Sequence, residues 1–194
     1  MLEKLNSLDT QLFLYLNNKH CAFLDGFMYW MSDIVFWVPF YVILLIIIIR
    51  YFKKKSIPIL LNVAVLIILS DQISSHLLKN LVKRPRPSHE IALQGLIYLS
   101  KAGPGGEYGF VSSHASSSFA LLCFLSLILP KSFRNLKYIL CFWAIIVSYS
   151  RVYNGVHYPG DVLGGALLGA LLAWLISLIY FWFISRSKFN KYSL

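Results

Sequence analysis

Ser150-Arg151-Val152-Tyr153-Asn154-Gly155-Val156-His157-Tyr158-Pro159-Gly160-Asp161 leads directly into an apolar stretch that lasts to about residue 184. A membrane-crossing helix needs about twenty mainly apolar residues, somewhat fewer where flanking residues snorkel. Residues 161–184 meet that length, with Pro159 and Gly160 marking the start. An arginine, a histidine and an aspartate are therefore held at fixed spacing at the mouth of a membrane helix. Toward the N-terminus, residues 133–149, 113–129, 57–78 and 34–49 are apolar in the same way. The pattern predicts an all-α polytopic membrane bundle of about five transmembrane helices. Lys131–Lys137 leaves room only for a tight turn, so 113–129 and 133–149 are expected to pair as an antiparallel hairpin.

Composition points the same way. Of 194 residues, 58% are hydrophobic and 13% charged, where a soluble domain carries roughly a quarter charged; mean hydropathy is +0.65. A net charge of +10 could fit a nucleic-acid partner, but its distribution argues against one. Ten of the eighteen basic residues fall in three runs free of acidic residues: Arg50 with Lys53–Lys55, then Lys131, Arg134 and Lys137, then Arg186, Lys188 and Lys191. Short Lys/Arg-rich loops stay cytoplasmic. Segments 79–112 and 150–161 are thus expected on the opposite side, facing the periplasm or exterior from a bacterial inner membrane.

Residues 1–33 are too polar to span securely, and a sixth short span there, which would move the N-terminus to the cytoplasmic side, is the alternative. Leu5, Leu8, Leu12 and Leu16 recur at helical spacing, and Tyr15, Phe23, Phe27, Tyr29 and Trp30 add interfacial aromatics. An amphipathic helix lying on the membrane is expected there, ahead of a membrane domain over 34–194. Residues 1–18 lack the basic start and continuous apolar core of a cleavable signal. Ser32 and Ser56 read as helix caps, Pro39 as a kink near the start of the first span, and Ser116–Ser118 as part of a serine-rich cap. Gly160-x3-Gly164 and Gly165-x3-Gly169 read as helix-packing pairs. Cys21, Cys123 and Cys141 form no framework, and the latter two read as small buried hydrophobes.

Three clusters carry chemistry, each at the end of an apolar segment. In the last, imidazole of His157 can attack phosphorus, Asp161 four residues on can accept a hydrogen bond from one ring nitrogen, and Arg151 can clamp phosphate oxygens. Ser112-Ser113-His114 opens the third span, where unpaired N–H groups and the helix dipole favour an anion. Lys79-x6-Arg86-Pro87 supplies two further cations, and the flanking prolines stiffen the backbone that aims Arg86. Lys83 and Arg84 are as basic, and read as snorkelling residues or head-group contacts. The sum is phosphate chemistry on a lipid.

These clusters resemble the three signature motifs of the type 2 phosphatidic acid phosphatases. That superfamily includes vanadium haloperoxidases and bacterial undecaprenyl-diphosphate and lipid A phosphatases. The first and third motifs match in full, while the second reads Val111-Ser112-Ser113-His114 where the family usually has Pro-Ser-Gly-His. The resemblance implies that His157 is a nucleophile forming a phosphohistidine, that Asp161 is its relay partner, and that His114 is the general acid. It assigns Lys79, Arg86, Arg151, Ser112 and Ser113 to the phosphate clamp and implies no metal or cofactor. The partners it implies are a membrane lipid phosphate and the bilayer, with no nucleic acid and no obligate protein. Three rivals stand beside it. A phosphotransferase would carry the same motifs. A metal site would need His76, His114, His157, Asp71 and Asp161 to converge without close ligand spacing. A transporter would use the polar stretch Asp71–His76 within the second span, but lacks repeats.

Overall fold

The computed structural model describes residues Leu2–Phe189, so Lys191 of the third basic run lies outside the described residues. The regular elements are helices: α1 (Leu2–Asn17), α2 (Ala22–Ser32), α3 (Val38–Phe52), α4 (Ser56–Asp71), α5 (Lys79–Val82), α6 (Ser113–Ile128), α7 (Arg134–Tyr153) and α8 (Pro159–Phe189). Val35–Val82, Lys131–Tyr153 and Pro159–Arg186 are long and apolar enough to cross a membrane, and α6 is a shorter apolar helix. Val35–Val82 turns at Lys53–Lys55, with Lys53 at φ 49°, so α3 and α4 form two packed arms. This is an all-helical membrane bundle.

Its centre is the α6–α8 pair. A Cβ added at Gly165 would strike the Ser112 carbonyl, and one at Gly169 would strike the Ser116 carbonyl and stand 2.8 Å from the Ala120 nitrogen. The two glycines therefore let the helices touch backbone to backbone, as small residues do between helices in lipid. Ile59 and Leu66 of α4, Phe124 and Leu125 of α6, and Leu140 of α7 fill the core around them. Ser70 of α4 meets Ser116 of α6 at 2.7 Å, so Ser116 bridges helices and does not serve as a cap.

Several local expectations change. Pro39 falls in the first turn of α3, where its missing N–H leaves no bond unmade, and it does not interrupt the helix. Ser56 donates to the Lys53 carbonyl from within α4, and Ser32 ends α2. The second apolar segment continues beyond α4 as a π-helix over Gln72–Leu78, and then as α5. Lys79 is therefore helical, and the loop begins only at Lys83, which ends α5 at φ 50°. Likewise α7 extends to Tyr153, placing Ser150 and Arg151 on its last turn.

The N-terminal region is two helices where one was expected. Leu5, Leu8 and Leu12 are exposed, as an apolar face toward lipid requires. The opposite face of α1 docks onto the rest of the chain. Phe13 packs edge-on against Tyr158 with ring centroids 5.4 Å apart, and the Asn17 amide donates to the carbonyls of Tyr98 and Tyr153.

Candidate active site

Asp161 sits in the first turn of α8, beyond a loop, 154–158, buried along its whole length. The loop is short because α7 ends at Tyr153 and α8 starts at Pro159, which suits a helix start. Within it the His157 amide donates to the Arg151 carbonyl at 3.3 Å. The ring of His157 is 1% exposed, and its Nδ1 lies a long 3.4 Å from Asp161 Oδ2. That oxygen also accepts from the Tyr158 amide at 3.0 Å.

The second motif joins the third through backbone: the Ser112 amide donates to the Asp161 carbonyl at 3.0 Å. Ser112 is fully buried and caps α6, its Oγ accepting from the Ala115 amide at 3.5 Å. Its hydroxyl proton stays available to an acceptor. Ser113 and His114 follow on the first turn, and both line a cavity of about 710 Å³.

The first motif is pinned by the loop's far end. The Arg86 amide donates to the Glu107 carbonyl, the Gly109 amide donates to the Arg84 carbonyl, and Arg86 Nε donates to the Tyr108 carbonyl at 3.1 Å. Gly109 permits this closeness, since a Cβ there would stand 2.8 Å from Asp161 Oδ2 and 3.2 Å from Arg86 Cγ. Arg151 donates one Nη1 bond to Ser32 Oγ at the end of α2. Its buried Nε has no partner among the described residues.

The structure thus brings together all eight residues singled out by the motifs. Burial, and then the charges of Arg86, Arg151 and Lys79, push His157 well below the usual imidazole value of 6.5, with the Gly109 backbone opposing weakly. That direction favours the neutral imidazole, in the tautomer whose Nδ1–H is directed to Asp161. Burial also lowers Arg86, and the Asp161 charge counters that shift.

Three participants escaped the sequence reading. Arg84 does not snorkel: its Nη1 donates to Asp161 Oδ1 at 2.9 Å and its Nη2 to Asp9 Oδ2 at 2.7 Å. Asp9 comes from the segment read as a membrane-surface helix, and Ser32 was read only as a helix cap. A carboxylate at the edge of the α1 leucine stripe was the available hint.

From the Ser32, Asp71 and His114 end, the cavity runs between α3, α4, α6 and α7, past Leu44, Val63, Leu121 and Trp143. A cationic, histidine-bearing head over an apolar slot defines a membrane phosphatase. Residues 59–185 match the PAP2 superfamily, and the chain belongs to it. Among its relatives, "Lipid A 4'-phosphatase" of Bacteroides thetaiotaomicron is 39% identical over 181 residues, covering 92% of this chain and 80% of that one. "Undecaprenyl-diphosphatase" of Sulfolobus acidocaldarius is 31% identical over 170 residues, covering 86% and 76%. The crystal structure of Aquifex aeolicus LpxE superimposes with a TM-score of 0.65 at 28% identity, covering 87% of this chain and 94% of that one. The protein is a membrane lipid phosphatase of the PAP2 type.

Proposed function

We propose that this enzyme removes the 4'-phosphate of lipid A through a phosphohistidine at His157, acting at the outer face of the inner membrane. The observation that carries the chemistry is a buried imidazole that burial and three nearby cations hold well below its usual value, next to an apolar cavity lined at one end by His114. The choice of lipid rests on the 39% identical relative. Undecaprenyl diphosphate is the alternative, supported by the archaeal relative.

In the first step His157 Nε2 attacks phosphorus, the bond from phosphorus to the leaving lipid oxygen breaks, and His114, protonated once the anionic phosphate is bound beside it, gives that oxygen its proton. Asp161 accepts the Nδ1–H bond and balances the charge gathering on the ring. In the second step a water attacks the phosphohistidine, His114 takes the water's proton, and phosphate leaves with Nε2 restored. Lys79, Arg86 and Arg151 face the equatorial oxygens, where charge builds in the transition state. Preorganised donors of this kind contribute roughly 3–4 kcal/mol each. Ser113 and the Ser112 hydroxyl sit at the dipole end of α6 and add neutral donors. The cations do the charge neutralisation that a metal does elsewhere, so no metal is invoked.

The deciding experiment measures phosphate release by the purified protein from lipid A phosphorylated only at the 4' or only at the 1 position, undecaprenyl diphosphate and phosphatidate. Preference for 4'-phosphorylated lipid A supports the assignment; preference for the isoprenoid diphosphate replaces it with the alternative. Activity should survive EDTA and fall with vanadate, whose five-coordinate form mimics the in-line transition state. Loss in EDTA restored by zinc would overturn the metal-free mechanism. For orientation, a cysteine at exposed Gly106, in a background lacking Cys21, Cys123 and Cys141, should label with an impermeant maleimide from outside the inner membrane. Labelling only after that membrane is opened would reverse the orientation.

A further inference from the structure

Asp161 is fully buried, and its carboxylate needs compensating charge, because a lone ion in such a place is costly. His157 reaches only Oδ2, and at a long 3.4 Å, so it is the weaker partner. Arg84 supplies the charge. Its guanidinium is a bridge, with Nη1 on Asp161 Oδ1 at 2.9 Å and Nη2 on Asp9 Oδ2 at 2.7 Å. The plane is held a third way, with its central carbon 4.1 Å from the centroid of the Tyr158 ring. Asp9 closes the circuit, since its Oδ1 accepts from the Gly160 amide at 2.8 Å. One oxygen of Asp9 thus steadies the first turn of α8, which carries Asp161, and the other steadies the arginine that grips Asp161.

We infer that Arg84 and Asp9 are positioning residues for the phosphohistidine chemistry, and that α1 is an integral part of the active site. The inference rests on the reading of His157 as nucleophile and Asp161 as its relay. Arg84 holds one oxygen of Asp161, which leaves the other aimed at His157 Nδ1. The division of labour is set by geometry. Both Arg84 Nη groups are engaged by carboxylates, so Arg84 acts on Asp161 and not on the substrate phosphate. It differs in this from Arg86 two residues on, which packs on the opposite edge of Asp161 across Gly109. Asp9 reaches the relay only through Arg84 and Gly160, so its effect should be the smaller.

The test is kinetic, on the full-length protein in detergent or nanodiscs, with its preferred lipid phosphate and with melting followed in parallel. Arg84→Met should lower kcat by roughly a hundredfold, the scale of misplacing a catalytic group by about an ångström, and leave KM nearly unchanged. Arg84→Lys should restore part of kcat, and Asp9→Ala should lose less than Arg84→Met, again in kcat. The decisive measurement combines Arg84→Met with Asp161→Asn. If Arg84 works through Asp161, the second change adds little to the first, as for residues acting as a unit. Losses that multiply, or a raised KM at unchanged kcat, overturn the inference and leave a merely structural ion pair. Should Arg84→Met fail to fold, Arg84→Lys and Asp9→Ala in the same Asp161→Asn background decide by the same criterion. His157→Ala is the separate control: if it still turns over, the nucleophile assignment fails, and that outcome differs from multiplicative losses with His157→Ala inactive.

Discussion

The head of the molecule and the wall of its cavity are built on different principles. Residues 152–159 are buried end to end, and the loops around them are tied by directional bonds among Arg84, Arg86, Glu107, Gly109, Ser112 and Asp161. The α3–α4 arm is the contrary case: in Val35–Val82 only 11% of the most apolar window is buried, against 44% in Lys131–Tyr153. A region over-determined by hydrogen bonds and ion pairs keeps one geometry, as chemistry at phosphorus demands. A wall held by dispersion between aliphatic side chains has no such directional restraint. The two principles thus share helices: α6 and α7 carry His114 and Arg151 in the head, and further along they line the cavity with Leu121 and Trp143.

The sharpest way to break the head is His157→Ala. With the nucleophile gone, turnover should fall by at least about 10⁴-fold, the range seen when a covalent route is removed, while the protein stays folded in detergent. Near-normal phosphate release would end the assignment. Gly169→Leu attacks the joint that aligns the second and third motifs. Its side chain meets α6 backbone, which cannot move aside as a side-chain tip would. A loss of about 1–3 kcal/mol is expected from overpacking, read as a lower melting temperature, with activity falling alongside. An unchanged melting temperature would mean that α6 and α8 are further apart than described.

Filling the wall should act differently. Val63→Trp narrows the slot while leaving every polar contact of the head in place. KM for a long-chain lipid phosphate should rise about tenfold, as when a hydrophobic pocket loses room for a methylene or more, and a short-chain soluble phosphate should be affected far less. Equal effects on both would show that the cavity does not hold the lipid. The smallest effect concerns pH. The free enzyme needs neutral His157, and burial with three nearby cations holds that group well below 6.5. Protonation, and with it the acid limb of kcat/KM, should therefore fall below pH 6.5. An acid limb above that value, traced to His157, would contradict the electrostatics of the head.

Apolar runs and three motif spacings were enough to read an all-helical membrane bundle and to pick eight residues as the candidate site, because each is a local property of the chain. What they did not reveal depends on long-range docking. Arg84 and Asp9 lie 75 positions apart, and nothing local distinguishes Arg84 from the equally basic Lys83. The end of α7 was placed too early because Ser150 and Arg151 are polar. Their helical turn is stabilised by burial against α2, where Met28 accepts from Asn154 and Ser32 accepts from Arg151. Asn154, read as a loop position, is for the same reason fully buried. The leucine stripe of α1 was legible, but the importance of its other face was not, since hydropathy reports what faces lipid and says nothing about which carboxylate meets which arginine.

The π-helix over Gln72–Leu78 sets the register in which the first motif is presented. Wider turns hold more residues per revolution, so this segment offsets the residues beyond it from the faces an unbroken α-helix would give them. Each residue of an α-helix turns the next by about 100°. A regular α-helix of the same length between Asp71 and Lys79 would turn Lys79 by roughly 100° from its present face, whereas one with a single residue fewer would nearly restore it. What this stretch has to preserve is therefore the facing of Lys79 and not the residue count, and grafts of the first motif onto another scaffold must carry the helix register along with the residues.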